Sequence, residues 1–207
     1  RWSSATIVGG VGGSTWTYTF NTAEWSDTTS YWIISRAQDR ATNYQTAWVT
    51  NTFTCDKTPP QSWLNMPEDD SGGPHTYQRK SEFNPIAGTA TDGSYGEVNY
   101  VEIRIKCLGG DSIAPVIDNK YWDWQSNSWQ ITPTQEWSPP IPVSGVNWST
   151  NTEHIDWQAD ADGVNYRVWV RAVDKANNVE DETAAENNNE FIFQSPYPVT
   201  RVTYPLG

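Results

Sequence analysis

The chain has 207 residues and a formal net charge of −12, from 25 acidic and 13 basic side chains. Nucleic acids and anionic membrane surfaces attract positive charge, so neither is an expected partner of this segment. No run of about 18 apolar residues is present, so no membrane insertion of this segment is expected. The 13 Trp residues and the single Met, among many small polar residues, are typical of an extracellular β protein.

Short stretches of alternating polarity, separated by Gly, Asn, Asp and Ser, predict β-strands along the whole chain. The predicted strands are residues 16–20, a strand beginning at 31, residues 48–55, 62–66, 84–91 and 98–107, and a strand beginning at 166. No stretch of twelve residues carries the apolar stripe of an amphipathic helix. The predicted fold class is therefore all-β.

One segment of the sequence occurs twice. Residues 31–43 (YWIISRAQDRATN) and 166–178 (YRVWVRAVDKANN) align without a gap at an offset of 135 and share six of thirteen residues. A period this long indicates repeated domains and not the short units of a solenoid. In each copy a strand with period-two alternation runs into a polar turn, which predicts a β-hairpin.

The repeat sets the expected domain boundaries. The strand after the hairpin recurs at an offset of 138, since Phe53 matches Phe191, and Trp137 matches Trp2 at 135. Two prolines in residues 56–60 predict a stiff, extended linker. We therefore expect the C-terminal half of a domain at 1–56, a complete domain at 57–195 and the first strand of a following repeat at 196–207. Such a chain is expected to be a window from a longer tandem array.

Three stretches carry a family resemblance. GTATDGSYGEVNYVEIRI (88–105), KYWDWQSNSW (120–129) and DGVNYRVWVRAVDKANNVE (162–180) stand in this order. The pattern resembles the bacterial immunoglobulin-like (Ig-like, fibronectin III-like) repeats of large secreted or surface proteins. The resemblance implies tandem Ig-like β-sandwiches of about seven strands at the cell surface or outside the cell. Asn177 departs from the pattern, where the family usually has Gly.

The resemblance also implies structural roles for the residues that the two copies share. Tyr31 and Tyr166 would be tyrosine-corner residues whose hydroxyls bond backbone near the preceding turn. In each hairpin an Asp and an Asn would satisfy the amides of the turn. These pairs are Asp39 with Asn43 and Asp174 with Asn178.

The sequence offers little for catalysis. His75 and His154 are the only histidines, and no Gly-x-Ser-x-Gly, HExxH or Cys/His arrangement occurs. We therefore predict no catalytic residue and no enzymatic activity. Cys55 and Cys107 have no counterpart cysteine in the other copy. Three states stay open, which are a bond to each other, a bond to a neighbouring module and buried free thiols, and a bond between the two is not favoured.

Calcium is the one cofactor that the sequence raises. Asp156, Asp160 and Asp162 stand before Gly163 and offer oxygen ligands at short spacing. The spacing of an EF-hand is incomplete, because Gln158 stands where its first Asp would be. An ordinary solvated turn is the simpler interpretation, and both interpretations stay open.

Trp122, Trp124 and Trp129 form a candidate carbohydrate platform, because indole rings stack on sugar faces. Alternation would place Trp122 and Trp124 on one side of a strand, and one side has to pack against the core. The predicted function is a non-enzymatic structural or adhesive segment, such as a stalk, spacer or filament component. Its expected partners are neighbouring Ig-like repeats or subunits of the same protein. The alternative is a carbohydrate-binding module that uses exposed Trp residues and binds glycans.

Overall fold

The computed structural model describes residues 3–10, 13–21, 24–70, 73–94, 96–110, 117–157, 163–183 and 187–194. Two compact units are present, Arg1–Lys57 (unit 1) and Thr58–Gly207 (unit 2). Strands dominate both units, which confirms the all-β class. In the described part of the chain no helix is long and apolar enough to cross a membrane. The predicted strand at 196–207 lies outside the described residues, as does Trp2.

Unit 1 contains two hairpins. Its strands are β1 (Thr6–Gly10), β2 (Gly13–Thr17), β3 (Ser30–Ser35) and β4 (Val49–Thr54). β1 pairs with β2 and β3 pairs with β4, both antiparallel. The strand predicted at 16–20 ends at Thr17, and the chain beyond it places the ring of Phe20 5.5 Å from that of Trp25.

Unit 2 is built on one large sheet. Its elements are β5 (Gln61–Met66), β6 (Asp69–Asp70), β7 (Gly73–Tyr77), α1 (Lys80–Phe83), β8 (Ile86–Thr91), β9 (Val98–Gly109), β10 (Tyr121–Asp123), β11 (Ser128–Gln130), β12 (Ile141–Ser144), β13 (Asn147–Thr150), β14 (Val164–Asp174) and β15 (Asn188–Phe193). The strand order is β5-β8-β13-β12-β9-β14-β15-β7-β6, and β10 joins β9 to β11. The sheet curls back on itself, so that β5 and β14 come together around one core.

The long antiparallel pair of β9 and β14 forms the middle of this sheet. Buried and partly exposed residues alternate from Tyr100 to Gly109 in β9 and from Val164 to Ala172 in β14. Ile103 and Ile105 of β9 and Val168 and Val170 of β14 are buried and directly opposite each other across the pair. The alternation in the sequence therefore gives each of these two strands one face toward the core and one outward face, as strand geometry requires.

Aromatic rings fill the centre of the core. Phe83 of the short helix is fully buried, and its ring centroid lies between 4.9 and 5.4 Å from those of four other aromatic residues. These are Tyr77, Trp157, Phe191 and Phe193. Removing a ring from such a site typically costs about 3 to 5 kcal/mol, because a cavity remains. α1 has only four residues, yet it anchors the core through this ring.

Gly88 of β8 lies where no side chain fits. A Cβ atom there would lie 1.9 Å from the carbonyl oxygen of Trp63 and 2.6 Å from a ring carbon of Trp148. The Trp148 indole is held over the glycine by a hydrogen bond from its Nε1 to the carbonyl of Thr89, at 3.2 Å. The Gly of the GTA motif is thus required by space and not by an unusual backbone angle.

Candidate functional sites

The two copies of the repeated hairpin close their turns with the same hydrogen bonds. In unit 2 the Asp174 carboxylate accepts from the backbone N–H of Asn178 at 2.8 Å and from its side chain at 2.7 Å. In unit 1 Asp39 accepts the equivalent bonds from Asn43, at 2.8 and 2.9 Å. The Asn43 side chain holds the pKa of Asp39 below its usual range. All four residues close turns within their own hairpins.

The residue before each Asn has a left-handed backbone. Asn177 has a φ of 67° and Thr42, its equivalent, a φ of 70°. Asn visits this region at low cost, whereas a β-branched residue is strained there. The departure from Gly is therefore tolerated at Asn177, and the strain lies at Thr42.

The repeated tyrosines occupy equivalent positions, but their surroundings differ. Tyr31 accepts a hydrogen bond from the backbone N–H of Ser26 on its hydroxyl at 2.8 Å, as a tyrosine corner would. Tyr166 is fully buried. A tryptophan packs on each of them, with ring centroids 5.5 Å apart for Trp25 and Tyr31 and 4.9 Å apart for Trp157 and Tyr166. Both tyrosines therefore pack on a tryptophan of their own unit.

The cross-strand register of the two hairpins is the same. Tyr31 lies opposite Phe53, and Tyr166 lies opposite Phe191. The paired rings are stacked in both units, with centroids 5.9 Å apart in unit 1 and 5.5 Å apart in unit 2. The offsets of 135 and 138 thus correspond to one structural unit that is used twice.

The candidate calcium ligands are only partly described. Asp156 is exposed, and its backbone carbonyl accepts a hydrogen bond from Trp129 Nε1 at 2.8 Å. Asp160 and Asp162 lie outside the described residues. A calcium site at this turn stays a prediction.

Two of the three candidate sugar-binding tryptophans lie in the core. Trp122 and Trp129 are opposite each other in the β10–β11 hairpin, and they are 1% and 8% exposed. Their rings pack together and Trp129 also packs on Tyr166, so neither presents a ring face to a ligand. β10 ends before Trp124, so strand alternation does not carry that ring inward with Trp122. Trp124 is partly exposed and lies 5.8 Å from His154, between ring centroids.

Trp124 and His154 line a shallow groove of about 320 Å³. Its other walls include Pro139, Pro142 and Asn127. The residues that line it include no carboxylate, guanidinium or ammonium group. The indole Nε1 of Trp124 has no hydrogen-bond partner in the described part of the chain. That nitrogen is buried, so the groove offers a ligand the exposed part of the indole ring and not its N–H donor. The groove can accept a neutral ligand that offers a flat apolar face.

A ladder of stacked cations and rings covers the outward face of β9 and β14. The Arg104 guanidinium lies 4.4 Å from the ring centroid of Trp169, 5.0 Å from that of Trp137 and 5.9 Å from that of Tyr121. Arg171 lies on Trp137 as well, at 4.1 Å. Such contacts contribute about 0.5 to 2 kcal/mol each.

This ladder was not predicted from the sequence, although strand alternation places Trp169 and Arg171 on the same side of β14. The missing information was the pairing, which sets Trp169 opposite Arg104 and Arg171 opposite Glu102. Arg171 donates to the Glu102 carboxylate at 2.8 Å. The ladder therefore connects β9 and β14 through contacts between their outward side chains.

The shifted pKa values follow from packing and turn closure. Burial raises the pKa of the Cys107 thiol to about 11, which is opposite to the shift that a nucleophilic cysteine needs. Cys55 and Cys107 are both free thiols. Burial also raises the pKa of Asp123, but N–H donors from Gln135 and Gln125 outweigh it and leave the pKa below its usual range. Neither group is arranged for acid or base catalysis.

The sites of this chain thus divide into a structural hairpin, a groove and a ladder. No family model matches the sequence, and no curated protein matches it either. The internal repeat is therefore the relationship from which a function can be inferred.

Proposed function

We propose that the protein is a non-enzymatic structural segment, built from tandem Ig-like β-sandwich units of a larger extracellular or cell-surface repeat protein. It acts as a stalk, spacer or filament component whose partners are neighbouring units of the same kind. The observation that carries this proposal is the identical register of the repeated hairpin in both units. A fold repeated along a chain, with its shared residues facing a core or closing a turn, supports a mechanical role.

The construction of unit 2 supports resistance to extension. The central strands β9 and β14 are joined along nearly their whole length by backbone hydrogen bonds and by the outward ladder. The buried Glu180 carboxylate, which follows β14, accepts a hydrogen bond from the backbone N–H of Ser62 in β5 at 2.8 Å. A pull on the two ends of the unit must break these contacts together, which favours one cooperative unfolding event.

Single-molecule force spectroscopy on the full chain tests the mechanical role. We expect one dominant unfolding peak. The unfolded contour length of residues 58–193 is roughly 480 Å at ~3.5 Å per residue, and the gain should be this length minus the end-to-end distance of the folded unit. Glu180→Ala should lower the force of that peak, whereas Glu153→Ala, an exposed control, should not. Extension of unit 2 without a force peak would contradict a spacer function.

The groove at Trp124 favours the second candidate function, which is a carbohydrate-binding module. A glycan array probed with the full chain and with Trp124→Ala tests it. Trp32→Ala is the matched control, since Trp32 is 70% exposed and belongs to unit 1. Binding to neutral glycans that Trp124→Ala abolishes and Trp32→Ala retains would support the module. An array without such binding would remove it.

A further inference from the structure

Within the described part of the chain, one edge of strand β3 of unit 1 is unpaired. In unit 2 the equivalent strand β14 is paired on both sides, with β9 and with β15. Among the described residues β3 pairs with β4 alone. An unpaired edge presents a row of backbone donors and acceptors that can bind a further strand. The edge of β3 that is open is the one that β9 occupies in unit 2.

The apolar face of the same hairpin is only partly covered. Tyr166 and Val168 of β14 are fully buried. Tyr31 and Ile33, their equivalents in β3, keep part of their surface exposed. In unit 2 residues 58–135 supply part of what covers this face, including Trp129, whose ring centroid lies 5.6 Å from that of Tyr166. Unit 1 therefore presents the face of a core together with an open edge.

The equivalent of Arg36 in unit 2 indicates the charge of the strand that would pair with β3, and Arg36 itself lies over the ring of Tyr44, 4.2 Å from its centroid. Arg36 aligns with Arg171 at the offset of 135. In unit 2 Arg171 lies opposite Glu102 of β9 and donates to its carboxylate at 2.8 Å. A strand that pairs with β3 in the same way would place an acidic side chain opposite Arg36.

Gln45 adds a second polar match on the same hairpin. It aligns with Glu180, and its side-chain oxygen accepts from the Ala37 N–H at 3.1 Å, as Glu180 does from Ala172 at 2.9 Å. In unit 2 Glu180 also binds Ser62 of β5. The Gln45 side chain carries two N–H donors that can bind a polar group in the position of Ser62.

We propose that unit 1 binds the first half of another repeat unit, with a strand of the β9 type antiparallel to β3 and a carboxylate opposite Arg36. The occupant resembles residues 58–135 of this chain in its alternation of apolar residues, its serine and its acidic residue. A second copy of this chain offers no such strand from its described residues, since its β9 already lies between β12 and β14. The proposal does not depend on the proposed function and holds for a spacer and for a sugar-binding module.

The constant offset of 135 shows where an added half unit has to be joined to the chain in an experiment. Glu136 is equivalent to Arg1, so a second copy of residues 58–135 can be joined directly to the front of the full chain without a linker. Hydrogen exchange then compares the β3 amides in this extended chain and in the parent chain. The β3 amides that face the open edge are those of Trp32 and Ile34, because Tyr31 and Ile33 face β4. We expect exchange at Trp32 and Ile34 to slow by at least about a hundredfold, because open edges exchange fast and core strands slowly.

The matched control carries Ile103→Asp and Ile105→Asp in the added copy alone, and it should leave β3 as open as in the parent. Arg36→Glu in the extended chain should reverse at least about tenfold of the protection. The same substitution in the parent chain measures how much of this change comes from losing the contact of Arg36 with the Tyr44 ring. The amides of β14 serve as an internal standard, since unit 2 is unchanged in every variant. Equal exchange of β3 in the extended and parent chains would overturn the proposal. So would a parent chain that is dimeric by light scattering and already protected at β3.

Discussion

Glu180 binds Ser62 across 118 positions of sequence, accepting from its backbone N–H at 2.8 Å and from its hydroxyl at 2.5 Å. The same carboxylate accepts from the N–H of Ala172 at 2.9 Å. One buried side chain thus satisfies donors in β5 and in β14, where the curled sheet closes.

Glu180→Ala should destabilise unit 2 by about 2 to 4 kcal/mol, because it leaves buried N–H donors without an acceptor. Urea unfolding followed by tryptophan fluorescence measures the free energy. Glu182→Ala is the control, since the Glu182 side chain is 39% exposed and its ion pair with Arg104 should contribute less than about 1 kcal/mol. Equal losses in both variants would contradict the bridging role of Glu180.

Thr42→Gly should stabilise the unit 1 hairpin by about 1 kcal/mol, because it removes a β-branched side chain from a left-handed backbone with φ of 70°. Slower hydrogen exchange at the N–H of Asn43, which the Asp39 carboxylate accepts at 2.8 Å, reports the change. Asn177→Gly is the matched variant in unit 2 and should change stability by a few tenths of that amount, since Asn already tolerates this conformation. A loss of protection in Thr42→Gly would show that the threonine is not strained.

Cys107 should resist thiol reagents in the folded protein. Burial and a pKa of about 11 keep the thiol protonated at pH 8, and reagents attack the thiolate. In a Cys55→Ser variant, labelling by iodoacetamide should be at least about a hundredfold slower in buffer than in urea. Because the pKa of the Cys107 thiol is raised in the folded state, its contribution to folding stability is fully present at pH values below the pKa of the unfolded chain. It is lost as pH rises toward about 11. Rapid labelling at pH 8 without unfolding would contradict this.

Trp137→Ala should destabilise unit 2 by about 1 to 2 kcal/mol, because two guanidinium groups, Arg104 and Arg171, lose the ring they stack on. Thermal unfolding at low and high salt separates this contact from the ion pairs. A stacking contribution should persist in 1 M salt, whereas exposed ion pairs are screened. Trp32→Ala serves again as the control for loss of an exposed indole. A loss that vanishes in high salt would assign the effect to the ion pairs.

The repeat and the strand pattern could be predicted because both are local properties of the sequence. Alternation in residues 98–107 and 166–172 predicted β9 and β14, and the two offsets anticipated the shared register. The repeat did not predict the tryptophan that packs on each tyrosine, and the reason is physical. Trp25 and Trp157 are separated by 132 residues and not 135, because the loops that follow them differ in length.

The candidate sites were harder to predict, because they depend on pairing between distant strands. Trp122 and Trp129 face the core because β10 and β11 set them opposite each other. The ladder exists because the register of β9 and β14 brings Arg104 to Trp169. Alternation within one strand shows which residues share a face, but only the partner strand shows what that face meets.

Gly88 limits how copies of unit 2 can diverge. A different residue at position 148 could relieve the contact with the Trp148 ring, but the Trp63 carbonyl, 1.9 Å from a hypothetical Cβ, belongs to the backbone of the neighbouring strand. No side-chain substitution elsewhere compensates for an added methyl group there. Substitution during evolution can therefore replace Trp148 more easily than Gly88. In distant repeats of this kind, the glycine at this position should be retained more often than the aromatic residues that make the unit recognisable.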